Sequence, residues 1–262
     1  MSDEKLRLGG MALANGVLVH GPSAWACAVR LPNGELRVES AYKSIRAADI
    51  EQPLLRGPAR LLEAFAVLPA MKRRLPQAKL PFELPTVAAS MGVSALAVRL
   101  IRNSSRLGAG MREVLSGLVA LAPAVLALRS SELSSYHGAE HISIGTYEHG
   151  EERGKEHERC GSHLVGPLLV TTAIGNLLAA RAPIHLRGFA RSVAGVGALA
   201  ASTEIFGWMV RHPDATVSRA LAKPGHELQH RLATSEPTPE QLEVAEAALR
   251  ECLRLEHAAD TR

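Results

Sequence analysis

The spacing of hydrophobic and polar positions changes along this chain, and the change divides it. Over residues 1–52 the pattern is that of strands. Residues 11–20 are apolar and interrupted by Gly16, Gly21-Pro22 punctuates them, and residues 23–30 are small and apolar. Leu36 and Val38 then alternate with Arg37 and Glu39, as in a strand with one buried face. Asn33-Gly34, between residues 26–31 and 36–38, is the dipeptide of a two-residue hairpin turn. Trp25 is expected to fill the core of this unit, and His20 to lie at a turn.

From residue 53 the period lengthens. Arg60, Leu61, Leu62, Phe65, Leu68 and Met71 recur at helical spacing after Gly57-Pro58, with Pro69 positioned to kink or end the helix. Four apolar segments follow, at residues 87–98, 114–128, 164–180 and 192–210. A membrane-crossing helix needs about 20 apolar residues. The last two segments reach or approach that length, and the first two fall short. Thr238-Pro239-Glu240 opens a final amphipathic helix striped by Leu242, Val244, Ala248 and Leu249, with Thr238 as its N-cap. The pattern predicts an α+β chain: a small β-rich unit over 1–52, a mainly α-helical bundle over 53–233 and a C-terminal helix over 234–262.

Composition narrows this picture. Hydrophobic residues make up 47% but aromatic ones only 3%, so the core must be built of Leu, Ala and Val, which favours packed helices. A net charge of +4 without a basic run argues against a nucleic-acid partner. The three cysteines have no paired spacing, which fits a reducing compartment better than a disulfide framework. Residues 1–10 carry acids and no apolar stretch, unlike a secretory signal. The mean hydropathy of +0.04 is low for a polytopic membrane protein. Arginines occupy both 102–112 and 181–191, so charge asymmetry does not orient the helices. On these grounds a membrane bundle and a buried soluble bundle are equally open.

Candidate chemistry is concentrated in residues 135–163. On a helix, His137 and His141 lie one turn apart on one face, with Glu140 beside them. Two imidazoles so placed can share a zinc ion, and the carboxylate can take a proton from an activated water. The order His-x-x-Glu-His is the one inverted zinc peptidases use. His157 and Cys160 lie close downstream. Four protein ligands would close a structural site, and three would leave a catalytic one open. Glu204 is a carboxylate inside an apolar run, so it must be paired, protonated or bound to a metal. His149, His163, His226 and His230 have no third partner in the pattern and are expected to be incidental. A hydrogen-bonded polar network without metal is the remaining alternative.

Tyr136-His137-Gly138-Ala139-Glu140-His141, Tyr147-Glu148-x-Gly150 and Arg159-Cys160-Gly161 together resemble the YqhQ-like bacterial membrane proteins, a family of unknown function often labelled a predicted metal-dependent enzyme. Gly9-Gly10-Met11-Ala12, Pro53-Leu54-Leu55-Arg56-Gly57 and Thr234-Ser235-Glu236-Pro237 match further blocks of that family in order. Ile142 stands where the family usually has lysine, and Glu158 where it has proline; neither departure touches a candidate ligand. The resemblance implies a multi-pass inner-membrane protein with residues 135–163 on the cytoplasmic side. It supplies no demonstrated reaction.

The expected function is a zinc-dependent hydrolase of membrane-proximal substrates, small or peptide, with Glu140 as general base. The expected metal ligands are His137 and His141, with the shell completed among His157, Cys160 and Glu204. The rival expectation is a membrane scaffold with a structural His/Cys zinc site and no catalysis. Substrate, metal identity and self-association into a homo-oligomer are left open by the sequence.

Overall fold

The computed structural model describes residues 5–47, 49–129 and 131–261. Strands β1 (Gly9–Leu13), β2 (Gly16–His20), β3 (Ala24–Arg30) and β4 (Leu36–Tyr42) form an antiparallel meander in chain order. Among the described residues eight α-helices follow: α1 (Arg56–Arg74), α2 (Pro85–Asn103), α3 (Ala109–Leu128), α4 (Ser131–His149), α5 (Val165–Ala179), α6 (Arg187–Arg211), α7 (Thr216–Leu228) and α8 (Pro239–Asp260). The α+β reading holds: a β-rich N-terminal unit, a mainly helical remainder and a C-terminal helix.

The sheet is buried on both faces because β2 and β3 are apolar at every position before their last, His20 and Arg30, so neither set of alternating side chains suits water. Val17, Val19, Ala26 and Ala28 pack on α4 and α8. Leu18, Trp25, Cys27 and Val29 face the other way, onto α1 and the chain that follows it. Trp25 is fully buried there, as expected. Thr238 is the N-cap of α8, as expected, and it acts within a capping box: the Thr238 hydroxyl accepts the Gln241 N–H, and the Gln241 side chain accepts the Thr238 N–H. Near the other end of α8, the buried Glu256 carboxylate accepts the N–H groups of Ser23 (2.8 Å) and Ala24 (2.6 Å). One carboxylate thus ties the last helix to the β2–β3 turn.

Two local expectations need correcting. The β3–β4 turn holds three residues, Pro32, Asn33 and Gly34, because Leu31 and Glu35 are themselves joined by a main-chain bond of 2.9 Å. Pro32 at the first turn position cannot donate to a ladder and so belongs to the loop. Helix α1 runs through Pro69, whose missing donor falls on an exposed side. Its buried face is Glu63, Val67, Leu68 and Met71, while Leu62 and Phe65 are exposed.

The remaining helices are unlike those around the sheet. α2 packs with α3, and α5 with α6, yet Leu118, Leu126, Ile174, Leu178, Phe189 and Val196 stay exposed. Among the described residues three stretches are long and apolar enough to cross a membrane by length and composition: Gly110–Leu128, Gly161–Ala179 and Ile184–Arg211. No more than 28% of any of these is buried within the protein. Water would pay dearly to wet such faces, and hydrocarbon suits them; the apolar helices point to membrane association. The segment at 114–128 therefore does reach spanning length, because its helix starts at Ala109, well before the apolar run.

Glu256→Ala leaves two buried main-chain donors without an acceptor, and is expected to lower stability by about 2 kcal/mol. Glu256→Gln keeps an acceptor and should lose less; thermal unfolding of the two variants compares them. His20 supplies a pH dependence. Its Nδ1 accepts from Lys43 Nζ (3.1 Å), and Lys43 also pairs with the buried Glu63. Burial, then the Lys43 charge, push the imidazole down to about 4, against a bond the ring donates to the Gly21 backbone, which raises it. The unfolded chain protonates His20 near the ordinary value of about 6.5, so the unfolded state binds more protons between those values. Stability is complete above pH 6.5 and is lost as pH falls toward 4, by on the order of 3 kcal/mol. His20→Gln should flatten that slope in unfolding curves taken across the window; an unchanged slope would show that His20 does not carry it.

Candidate metal centre

Helix α4 lies between β1 and α8, which take its Tyr136 and Ala139 into the core. The same helix carries His137, Glu140 and His141. The four-residue spacing brings the two imidazoles together, with ring centroids 4.3 Å apart and planes at 58°. Each ring is aimed by a main-chain carbonyl. His137 Nδ1 donates to the Ala233 carbonyl (2.8 Å), and His141 Nδ1 donates to the Lys155 carbonyl (2.7 Å). A carbonyl only accepts, so both Nδ1 atoms carry hydrogen, and in the neutral ring Nε2 is then the nitrogen with the lone pair. Metal-binding histidines are oriented in this way.

Cys160 supplies the third group. Its sulfur is 3.5 Å from His137 Nε2, and ligand atoms of His137, His141 and Cys160 all lie within 4.8 Å of one another. A tetrahedral zinc ion with N at about 2.0 Å and S at about 2.3 Å would set those two atoms roughly 3.5 Å apart. The residues present fit such an ion.

The local chain explains how these groups are delivered. A π-helical turn, Gln229–Ala233, follows α7 and ends at the carbonyl that His137 uses. Gln229 is fully buried: its Oε1 accepts the His157 N–H (3.0 Å), and its Nε2 faces the His157 carbonyl, Ser162 Oγ and His163 Nδ1. That knot ties the loop bearing Cys160 to the π turn. Just beyond, the Ser235 N–H donates to the Ser134 carbonyl of α4 (3.0 Å). This approach needs a glycine at 138, since a Cβ there would sit 2.1 Å from the Ser235 oxygen.

Glu140 is buried beside the two imidazoles. Burial raises its carboxyl above the usual range, while His137 and His157 pull the other way. Burial likewise lowers His141, opposed by the neighbouring thiol. A cleft of about 470 Å³ opens over the group, walled by β1, the end of α3, His137, Glu140, His141 and Cys160. A cavity of about 510 Å³ between α6, α7 and the 148–159 loop holds none of the three converging ligands.

Of the five ligands expected from the sequence, three converge. His157 lies close, its ring centroid 5.6 Å from that of His141, but both its nitrogens are engaged. Nδ1 accepts the Arg159 N–H (3.2 Å), leaving Nε2–H to face Glu148 (3.3 Å). Burial alone would raise Glu148, but His157 and Arg159 outweigh it and hold that carboxyl low. Glu204 is in α6, away from the cluster, where Arg56 grips both its oxygens and the Leu54 N–H donates to one. His149 bonds the Gly145 carbonyl and pairs with Glu158; His226 and His230 both face Glu156. The sequence reading missed Gln229, the two carbonyls and Gly10, whose own Cβ would meet Glu140 Oε1 at 2.3 Å. Main-chain acceptors leave no residue-type signal; Gly9-Gly10 and Thr234-Ser235 were visible only as blocks of the family resemblance.

Gly138→Ala is expected to force Ser235 away from α4 and cost about 2 kcal/mol, with the Ala233 carbonyl drawn off His137. Thermal unfolding reads the first effect, and the Nδ1 proton signal of His137 in NMR reads the second. Wild-type behaviour in both would sink this account.

A family model described as "Protein of unknown function (DUF1385)" matches residues 124–255, which takes in the end of α3, all three converging ligands and most of α8. The "Uncharacterized protein YqhQ" of Bacillus subtilis (strain 168) is 33% identical over 129 residues, 46% of this chain and 40% of that relative. The chain therefore spans well under half the length of the curated relative it matches. No solved structure matches it.

Proposed function

The chain belongs to the DUF1385 family, and from that premise we propose that it is a membrane-associated, zinc-dependent hydrolase. The observation that carries the reading is the joint one of two imidazoles with Nε2 freed by carbonyls and a sulfur 3.5 Å from one of them. His137, His141 and Cys160 would hold the ion. Three protein ligands, rather than four, among the described residues support an open catalytic position over a closed structural site. When bound, the ion supplies the charge that makes a nearby water acidic near neutral pH.

The chain's own residues do the rest. The Ala233 and Lys155 carbonyls fix the imidazoles in the tautomer that binds. Glu140, buried and lining the same cleft as both rings, accepts the proton that the water gives up and returns it to the leaving group. Its raised carboxyl lies nearer neutrality, where it can do both. His157, whose Nδ1 accepts the Arg159 N–H, stands behind this group and bonds Glu148. The end of α3 gives the cleft one apolar wall, Ala124, Ala127 and Leu128. The apolar helices support a location at a membrane, with substrates reaching the cleft from its surface.

Zinc measured on purified full-length protein should be close to stoichiometric and be lost in His137→Ala and Cys160→Ser. Glu140→Gln should keep the zinc and lose on the order of 10²–10⁴ of the rate on fluorescein-labelled casein. Unchanged zinc in His137→Ala would overturn the proposal, as would Glu140→Gln with full activity.

A further inference from the structure

β1 is an outer strand: one of its edges pairs with β2, and the other is open. The β1–β2 hairpin closes at Leu13 and Gly16 around the two-residue turn Ala14-Asn15. The pair that closes such a turn is hydrogen-bonded, and bonded and open pairs alternate along an antiparallel ladder. Leu13, Met11 and Gly9 therefore turn their main-chain groups toward β2, while Ala12 and Gly10 turn theirs outward. The flanking residues of the same phase agree. The Ala14 N–H donates outward to the Lys79 carbonyl (2.9 Å), and the Leu8 N–H to Glu148 Oε1 (3.4 Å). Between those two, the outward groups of Gly10 and Ala12 have no partner among the described residues.

The unpaired stretch is the one over the candidate centre. Five consecutive residues, Leu8 through Ala12, line the cleft. Successive side chains of a strand point to opposite faces, so five in a row reach one cavity only where it runs along the strand's edge. Gly10 rests on the Glu140 carboxylate. The facing wall is small and apolar: Ala124, Ala127 and Leu128. Arg159, the cation on this wall, is paired with Glu148, so the cleft offers an anion little.

We propose that the open edge of β1 is a substrate ladder, and that the substrate is a polypeptide in extended conformation. It lies as a further strand beside Gly10 and Ala12, with small or apolar side chains toward Ala124, Ala127 and Leu128. The inference rests on the hydrolase reading above for its chemistry and names that site's substrate class. Main-chain donors and acceptors two residues apart are complementary to another main chain in register. The same line carries the occupant past Glu140 and the three ligands, where an amide bond would be cut: water adds across the C–N bond, giving a carboxylate and an amine.

The test is binding, read by fluorescence anisotropy on the full chain in detergent, with a fluorescein-labelled decapeptide of alternating alanine and threonine. Two further peptides carry N-methyl groups on the alanines or on the threonines. Methylation of one alternate set should weaken binding about tenfold or more and methylation of the other should not, as the loss of inter-strand hydrogen bonds requires. Ala12→Pro removes one outward donor without touching the pairing to β2, a position where an edge strand tolerates proline, and should weaken binding about tenfold with zinc content unchanged. Equal binding of all three peptides, no saturable binding of any, or wild-type affinity in Ala12→Pro overturns the ladder; if Ala12→Pro does not fold, the methylated peptides decide alone. Zinc-stripped protein separates the two proposals: failure of the metal reading leaves peptide binding intact, and failure of the ladder leaves zinc stoichiometry intact.

Discussion

An imidazole whose Nδ1 hydrogen is held by a carbonyl can offer only its other nitrogen to anything else. Both His137 and His141 are held so, by Ala233 and by Lys155. These acceptors come from different parts of the chain, one from the loop after α4 and one from the turn before α8, and neither is set by α4 itself. Much of the surrounding packing can be read as the means of bringing them in. Gln229 binds loop to turn, Gly138 lets residue 235 approach the helix, and Thr238 and Gln241 start α8 immediately afterwards. Remove either carbonyl and the ring can turn over, presenting the wrong nitrogen.

The sheet and the apolar helices divide the work. The sheet, clasped by α1 on one face and by α4 and α8 on the other, gives α4 a rigid back. The apolar pairs α2–α3 and α5–α6 bury little of themselves. One tie between the halves is Glu204, which sits among apolar residues and receives Arg56 and the Leu54 N–H from the start of α1. A carboxylate in that position is tolerable only with such a partner. Its pairing answers why an acid interrupts α6, and it does so structurally.

The sequence made the layers of this fold legible where local rules govern. Alternation marked β4 and apolar runs marked the strands before it, Thr238-Pro239 marked the start of α8, and the i, i+4 spacing alone was enough to bring His137 and His141 together. The reading failed where a rule was local but its outcome was not. Pro32 moved the hairpin from two residues to three, and the buried stripe of α1 turned out to include Glu63, an acid that pattern reading discards, because Lys43 lies opposite it. Among candidate ligands, Cys160 was legible as a nearby thiol. His157 was equally near in sequence, yet an N–H two residues along the chain occupies the nitrogen it would have offered. Such competition depends on backbone direction, which residue spacing does not report.

The π turn at Gln229–Ala233 has a bearing on what lengths of chain this architecture can accept. An α-helical turn closes its hydrogen bonds four residues back, and one added residue per turn shifts every later carbonyl by about 100° around the axis. Here the Thr234 N–H reaches back five residues, to the Gln229 carbonyl (3.2 Å), and the Ala233 carbonyl is left to the imidazole. Losing a single residue from this stretch would restore the ordinary winding and swing that oxygen out of reach. Loops elsewhere on the surface can grow or shrink with little consequence. These five positions cannot: besides the Gln229 side chain, it is their count that the geometry holds fixed.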